Sequence, residues 1–371
     1  MFRHLSRYFD LSVLFDAERE PNRLWNVSPD LGFRYTYAKG IAIPYRRVRP
    51  DLPGDDSRYF QLRYDLLPAL WRFRPDVVVS GEMGPRSLQA LLYCKLRNVP
   101  LVLWSEGTPH TEGWAPALKR SVRRWLVRSA TRFWSNGIES SQLLRSYGAP
   151  GERLDEGLIG FDTHHLAAAV GRSLATAPEL RRSLDLRGTV FLFVGQFASR
   201  KGVGEFLAAL EALRAACSQE FSALFVGEGP LRPLLEAWAR EHTSVPLRLV
   251  PFQQPDQLPP YYAAADVFVL PTLEDNWSMV ALEAAVSGLP QVFSKFNGAT
   301  TDLMKLGAPG ECVDPMNTAG FAACLARYVE GAAGRAGAET VARIADAFSP
   351  EQCAGRARRS IEAALWTGQT G

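Results

Sequence analysis

One pattern recurs along the chain: a short run of apolar residues stops at glycine, proline or a polar residue, and a helix-compatible stretch follows. In the carboxy-terminal half the runs are TVFLFVG (189–195), SALFVG (222–227), LRLVPF (247–252), DVFVLPT (266–272) and PQVFSK (290–295). In the amino-terminal half they are LSVLFD (11–16), DVVVSG (76–81), PLVLWSEG (100–107), TRFWSNG (131–137) and ERLDEGLIG (152–160). A strand with one wet face alternates apolar and polar residues. A near-continuous β-branched run is instead buried on both faces, which requires a parallel sheet covered by helices on either side. Helical periodicity over 86–97, 203–216, 231–241 and 280–287 supplies those covers.

The rhythm weakens over 163–187, which is Ala-rich and helix-compatible but lacks a strong strand. The fold class expected is therefore α/β, with two Rossmann-like parallel-sheet domains at 1–162 and 163–349. Residues 350–371 read as a last helix, free to cross back to the first domain. The length of 371 residues suits two cores, and 47% hydrophobic with 22% charged residues is ordinary for a soluble protein. A net charge of +3 gives no argument for nucleic acid. No apolar run is long enough to span a bilayer, and no signal peptide is visible. Cys94, Cys217, Cys312, Cys324 and Cys353 are scattered and odd in number, which points to a reducing, cytoplasmic location. The five histidines show no ligand spacing, which argues against structural zinc; no metal and no resident cofactor are expected. The strand at 11–16 has no glycine loop before it. The first domain is therefore expected to lack its first strand, through a misplaced start or an unusual architecture.

Ligands of such sheets sit beyond the carboxyl ends of the strands. The first candidate end is VGQFASRKGVGEF (194–206). Gly195, Gly202 and Gly204 permit a tight loop, and Gln196, Arg200 and Lys201 lie in it. Two cations before a helix amino end make a phosphate site, against the alternative of an ordinary solvated turn. The second end is VGEGPLRPLLE (226–236), where Gly227, Glu228 and Gly229 turn the chain into a helix and suit a nucleotide or a plain turn equally. Neither end carries a dinucleotide fingerprint or a P-loop.

The third end is PTLEDNWSMVALE (271–283). Glu274, Asp275 and Asn276 form the loop, Ser278 is a candidate helix cap, and Met279 opens the helix that carries Glu283. Amides around Ser278 and Met279 suit a phosphate. Asp275 and Glu283, with seven residues between them, suit sugar and ribose hydroxyls. Ionised acceptors make the stronger bonds, roughly 1.5–3 kcal/mol net. Glu274 exchanges with Asp275 on a one-residue shift of the loop. In the fourth end, SKFNGATTD (294–302), Thr300, Thr301 and Asp302 line the same cavity or simply cap a helix.

These segments, in this order from Val190 to Asp302, resemble the retaining glycosyltransferases of family four, also called glycosyl transferases group 1. The resemblance rests on VGQFASRKG, VGEGPLR, AADVFVLPT, DNWSMVALE and SGLPQVF, and extends more weakly through GLIGFD and the amino half. It implies a GT-B fold, two Rossmann-like domains facing a central cleft, and a nucleoside diphosphate sugar as donor with UDP and GDP both open. It places Lys201 on the donor diphosphate. It sets Gln196 where the family has an arginine, with Arg200 as the substitute charge. Asp275 takes the place of the first acid of the family's Glu-x7-Glu motif, near the transferred sugar, and Glu283 that of the second, near the ribose. The family's amino-domain histidine is replaced by Glu106, with His110 and Glu82 as further candidates. The acceptor implied is a hydroxyl of a glycan or lipid-linked glycan, in surface polysaccharide synthesis. Alternatives are a phosphorylase or sugar-phosphate synthase on the same fold, or a non-catalytic sugar-nucleotide-binding relative. An NAD enzyme is disfavoured by the missing fingerprint.

One further stretch, LKRSVRRWLVRSATRFW (118–134), reads as a basic amphipathic helix. Arg120, Arg124 and Arg128 form a ridge, and Leu118, Val122, Trp125, Leu126 and Phe133 form the apolar cover. The expectation is peripheral attachment to anionic lipid on the inner face of the cell membrane; the competing reading is a solvated helix packed on its sheet.

Overall fold

The computed structural model describes residues 1–16, 30–48, 55–331 and 334–369, with the side chains of 46–48, 55–60 and 367–369 left out. The strands are β1 (Ser12–Phe15), β2 (Arg34–Tyr37), β3 (Gly40–Val48), β4 (Asp55–Arg63), β5 (Val78–Ser80), β6 (Leu101–Ser105), β7 (Arg132–Ser135), β8 (Leu154–Glu156), β9 (Thr189–Val194), β10 (Phe221–Val226), β11 (Leu247–Val250), β12 (Val267–Leu270), β13 (Gln291–Ser294) and β14 (Gly310–Val313). All ten runs singled out in the sequence overlap one of these strands. The chain divides into two compact units.

The first unit comprises 1–47, 57–161 and 348–371. Its main sheet is β5-β6-β7-β8, all parallel, with β1 and β2 pairing in parallel separately and β3 pairing with β4. One side of the main sheet is covered by helices Pro85–Arg97 and Ala117–Ser129, which contribute Leu91, Tyr93 and Leu126 to a core with Leu101, Leu103 and Phe133. The Pro350–Gln369 helix supplies Ala354, Ala357 and Ala364 to a second cluster with Leu5, Val102 and Trp134. Three alanines at helical spacing let that helix seat close to the strands.

The second unit spans 162–347 together with 48–56. Its six strands are parallel in the order β11-β10-β9-β12-β13-β14. Every residue of β10, β12 and β13 is buried, including the polar Ser222, Gln291 and Ser294, as strands covered on both faces require. The sequence leaves β9, goes outward to β10 and β11, then returns past β9 to β12. The strand order thus reverses between β9 and β12, the place at which such sheets bind ligands beyond the carboxyl ends of their strands.

Candidate functional site

Three loops meet at this reversal. After β9 the chain passes through a turn of 3-10 helix, Ser199–Lys201, into the Val203–Ala216 helix. After β12 it runs through 271–278 into the Met279–Val286 helix. The Arg200 carbonyl joins the two, accepting from the N–H of Leu273 at 2.8 Å and the hydroxyl of Thr272 at 3.0 Å. Gly202 makes this docking possible. It has φ +72°, and a Cβ there would lie 1.8 Å from the Pro271 carbonyl oxygen. The loop after β10 stacks on the first loop in the same manner, since a Cβ on Gly227 would lie 1.9 Å from the Gly195 carbonyl oxygen. Phe197 anchors it: its N–H donates to the Glu228 carbonyl at 2.9 Å, and its own carbonyl accepts from the N–H of Leu231 at 2.9 Å.

The side chains follow from this scaffold. Lys201 Nζ pairs with Asp275 Oδ2, with side-chain exposures of only 13% and 14%. A pair this enclosed is screened little by salt, so each partner holds the other in place. Arg200 Nη2 donates to Gln196 Oε1 at 3.1 Å, which ties the two side chains of this loop together. Glu228 pairs with Arg232 at 2.7 Å. Asn276 is exposed, whereas Glu274 is buried.

Glu283 lies in the helix that Met279 opens. Its Oε2 accepts at 2.7 Å from the hydroxyl of Tyr262, which is wholly buried. Glu283 is partly exposed, but its Oε2 meets a hydroxyl that is itself buried. Burial pushes Glu283 up to about 7, and the bond from Tyr262 opposes that rise. The Tyr262 phenol is pushed well up by burial and by the neighbouring carboxylate.

Several expectations change. Ser278 is the residue before the helix, but its side chain makes no capping bond. Asn297 instead braces the loop from outside the helix: its Oδ1 accepts from the N–H of Ser278 at 3.3 Å and of Ala299 at 3.1 Å. The Asn-Gly pair at 297–298 reads locally as a turn, so only the tertiary contact reveals this. Asn297 also bridges to Asp275 by backbone pairing, which braces the loop. Thr300 donates to the Ser294 carbonyl at 2.8 Å, and buried Asp302 accepts from Trp277 Nε1 at 3.1 Å. The first ties the Ala299–Lys305 helix to β13, and the second braces the loop against that helix.

Glu106, Glu82 and His110 belong to the first unit. Glu106 follows β6 and is partly buried, and His110 sits in the short Pro109–Glu112 helix. Glu82 accepts from the Nε of Arg86 at 3.0 Å. The 118–134 stretch is not one helix. The helix is Ala117–Ser129, and Phe133 lies on β7 with no exposed surface. Leu126 is likewise core, and Arg123 is buried against Glu112. Leu118 and Trp125 are exposed, at 77% and 57%. Among the described residues no group of His, Cys, Asp or Glu is arranged to hold a metal, and no helix is long and apolar enough to cross a membrane.

Residues 188–330 match the family Glycosyl transferases group 1. A D-inositol 3-phosphate glycosyltransferase of Rhodococcus opacus (strain B4) is 30% identical over 249 residues, covering 64% of this chain and 54% of that protein. The sulfoquinovosyl transferase SQD2 of Arabidopsis thaliana is 26% identical, covering 63% and 45%. The chain thus spans about half the length of the curated relatives it matches. Among solved structures, sucrose-phosphate synthase from Thermosynechococcus elongatus superposes with a TM-score of 0.69 at 18% identity, covering 98% of this chain and 92% of that one. Anabaena Alr3699/HepE in complex with UDP and glucose superposes with a TM-score of 0.63 at 16% identity, covering 100% and 94%. At these identities the likeness shows the fold, which is GT-B.

Proposed function

We propose, from the match of residues 188–330 to the glycosyl transferases group 1, that this chain moves a sugar from a UDP- or GDP-linked donor to an acceptor hydroxyl with retention at the anomeric carbon. The observation that carries the reading is the convergence of Lys201 and Asp275 where the strand order reverses. A departing diphosphate develops negative charge, and charges already fixed in place stabilise it without reorganising. Lys201 is such a charge. Arg200 and the first-turn amides of the Met279–Val286 helix are its neighbours in the same loops. In this reading Asp275 holds Lys201 until the donor arrives and then accepts from a hydroxyl of the transferred sugar. Glu283 accepts from the ribose. Glu106 is assigned to the acceptor side.

The acceptor is a hydroxyl of a glycan or lipid-linked glycan, as in surface polysaccharide synthesis. A polyol phosphate belongs in the same screen, because several relatives are named D-inositol 3-phosphate glycosyltransferases. Peripheral association with anionic membrane is part of the proposal. It is supported by exposed Leu118 and Trp125 on a helix that also exposes Arg120, Arg124 and Arg128.

The test is a binding and turnover screen over UDP- and GDP-sugars, with product anomers assigned by NMR. Lys201→Ala is expected to lower turnover of the selected donor by about 100-fold, the scale of losing one preorganised charge contact. Glu283→Ala is expected to weaken nucleotide binding. Full activity in both variants would refute the site, and an inverted anomer would refute retention.

A further inference from the structure

Tyr262 is carried by the Pro259–Ala264 helix and Glu283 by the Met279–Val286 helix, twenty-one positions apart in sequence. One guanidinium locks the two helices together. Arg335 Nη2 donates to the carbonyls of Tyr262 at 2.7 Å, Ala263 at 2.9 Å and Ala265 at 2.9 Å, while its Nη1 donates to the carbonyl of Ser287 at 2.8 Å. Those carbonyls stand at the carboxyl ends of both helices. The separation between the phenol and the carboxylate is therefore set by the backbone, not by side-chain chance. The Tyr262 hydroxyl binds Oε2 of Glu283, and Oε1 has no hydrogen-bond partner among the described residues.

We propose that Tyr262 is a positioning residue for Glu283, fixing one carboxylate oxygen so that the other is presented to a ribose hydroxyl of the bound nucleotide. This rests on the reading above that Glu283 receives the ribose. A carboxylate held by a buried donor loses rotation about its last torsion before the ligand arrives, so less entropy remains to be lost on binding. The donor also favours the charged form, the better acceptor.

Charge on the surrounding elements does not substitute for this donor. Of the elements packed on the Met279–Val286 helix, Thr163–Ser173 carries His164, His165 and Arg172, Ala299–Lys305 carries Asp302 and Lys305, and Ala338–Ala347 carries Glu339, Arg343 and Asp346. His164 pairs with Asp346 and Arg343 with Glu339, while Asp302 accepts from Trp277. Burial and Tyr262 are the influences acting on the Glu283 carboxyl.

The experiment is calorimetric binding of UDP and of GDP from about pH 5.5 to about pH 8.5. The full-length protein is compared with its Tyr262→Phe and Glu283→Gln variants. Phenylalanine keeps the buried ring and with it the packing, and unfolding of each variant is followed alongside. Wild-type affinity is expected to weaken as pH falls through about 7. Glu283→Gln is expected to weaken binding and to remove that part of the pH dependence. Protonation of the ligand phosphates is common to all three proteins and cancels in the differences. Tyr262→Phe is expected to move the midpoint up by about one pH unit and to weaken binding about tenfold at neutral pH. An unmoved midpoint with wild-type affinity in Tyr262→Phe, while Glu283→Gln binds weakly, overturns the positioning role and leaves the nucleotide site standing. Unchanged binding in Glu283→Gln overturns the site reading itself, and the positioning role falls with it.

Discussion

Gly202 does more for the site than any charged residue, because it decides whether the loops that carry Lys201 and Asp275 can touch. Alanine there meets the Pro271 carbonyl at 1.8 Å from a backbone at φ +72°. No side-chain rotation relieves a clash between Cβ and backbone. Gly202→Ala is expected to destabilise the second unit by about 2 kcal/mol or more, read as a lower urea midpoint. Lys201→Ala should also lower stability, since it strands Asp275 in an enclosed position, and adding Asp275→Asn should restore part of the loss. Glu283 gives a signed pH effect. Its carboxyl titrates near 7 in the folded protein against an ordinary 4.5. Below both values the two states hold the proton equally. Between them only the unfolded chain ionises, so stability falls as pH rises through that window and levels off above it. Glu283→Gln should abolish up to about 3 kcal/mol of this loss, measured by urea unfolding at about pH 5 and about pH 8.

At the scale of elements, the strands legible in the sequence lie in short, mostly apolar runs that end at glycine, proline or a polar residue. The ones missed, β2, β3, β4 and β14, expose part of their surface and carry polar residues, as in RYTY and GECV. Their pairing comes from a partner strand that local pattern cannot reveal. The Ala117–Ser129 helix shows the complementary error. Its basic ridge was legible, but Leu126 belongs to the core on the buried face of the helix, and Phe133 because the chain has left the helix and entered β7. Leu118 and Trp125 are left as the exposed apolar residues beside Arg120, Arg124 and Arg128. The protein is expected to pellet with phosphatidylglycerol vesicles, and Arg120→Glu with Arg124→Glu to abolish pelleting. Retention in the supernatant at low salt would remove the membrane assignment. Arg123 must be spared in such a test, because it is buried against Glu112.

At the scale of the whole molecule, two units of similar architecture have separate cores, and the final helix serves the first of them. Ala357 has no exposed surface among Leu5, Val102 and Trp134. Ala357→Phe overpacks that contact and is expected to cost about 1–3 kcal/mol. Calorimetric unfolding should show the loss in the transition of the first unit while nucleotide binding by the second persists. A single transition shifted as a whole would show that the units unfold together.

The sequence by itself determined the class of fold and the chemical inventory. Buried parallel strands require mostly apolar runs, and loops that hold phosphates require glycine and cations, so both leave local traces around Lys201 and Asp275. Tertiary structure alone decided that these two residues pair across seventy-four positions. It alone made Asn297 the brace of the loop, and placed Tyr262 on Glu283. Such partners meet because of strand order and helix packing, and neither property has a signature within the few residues concerned.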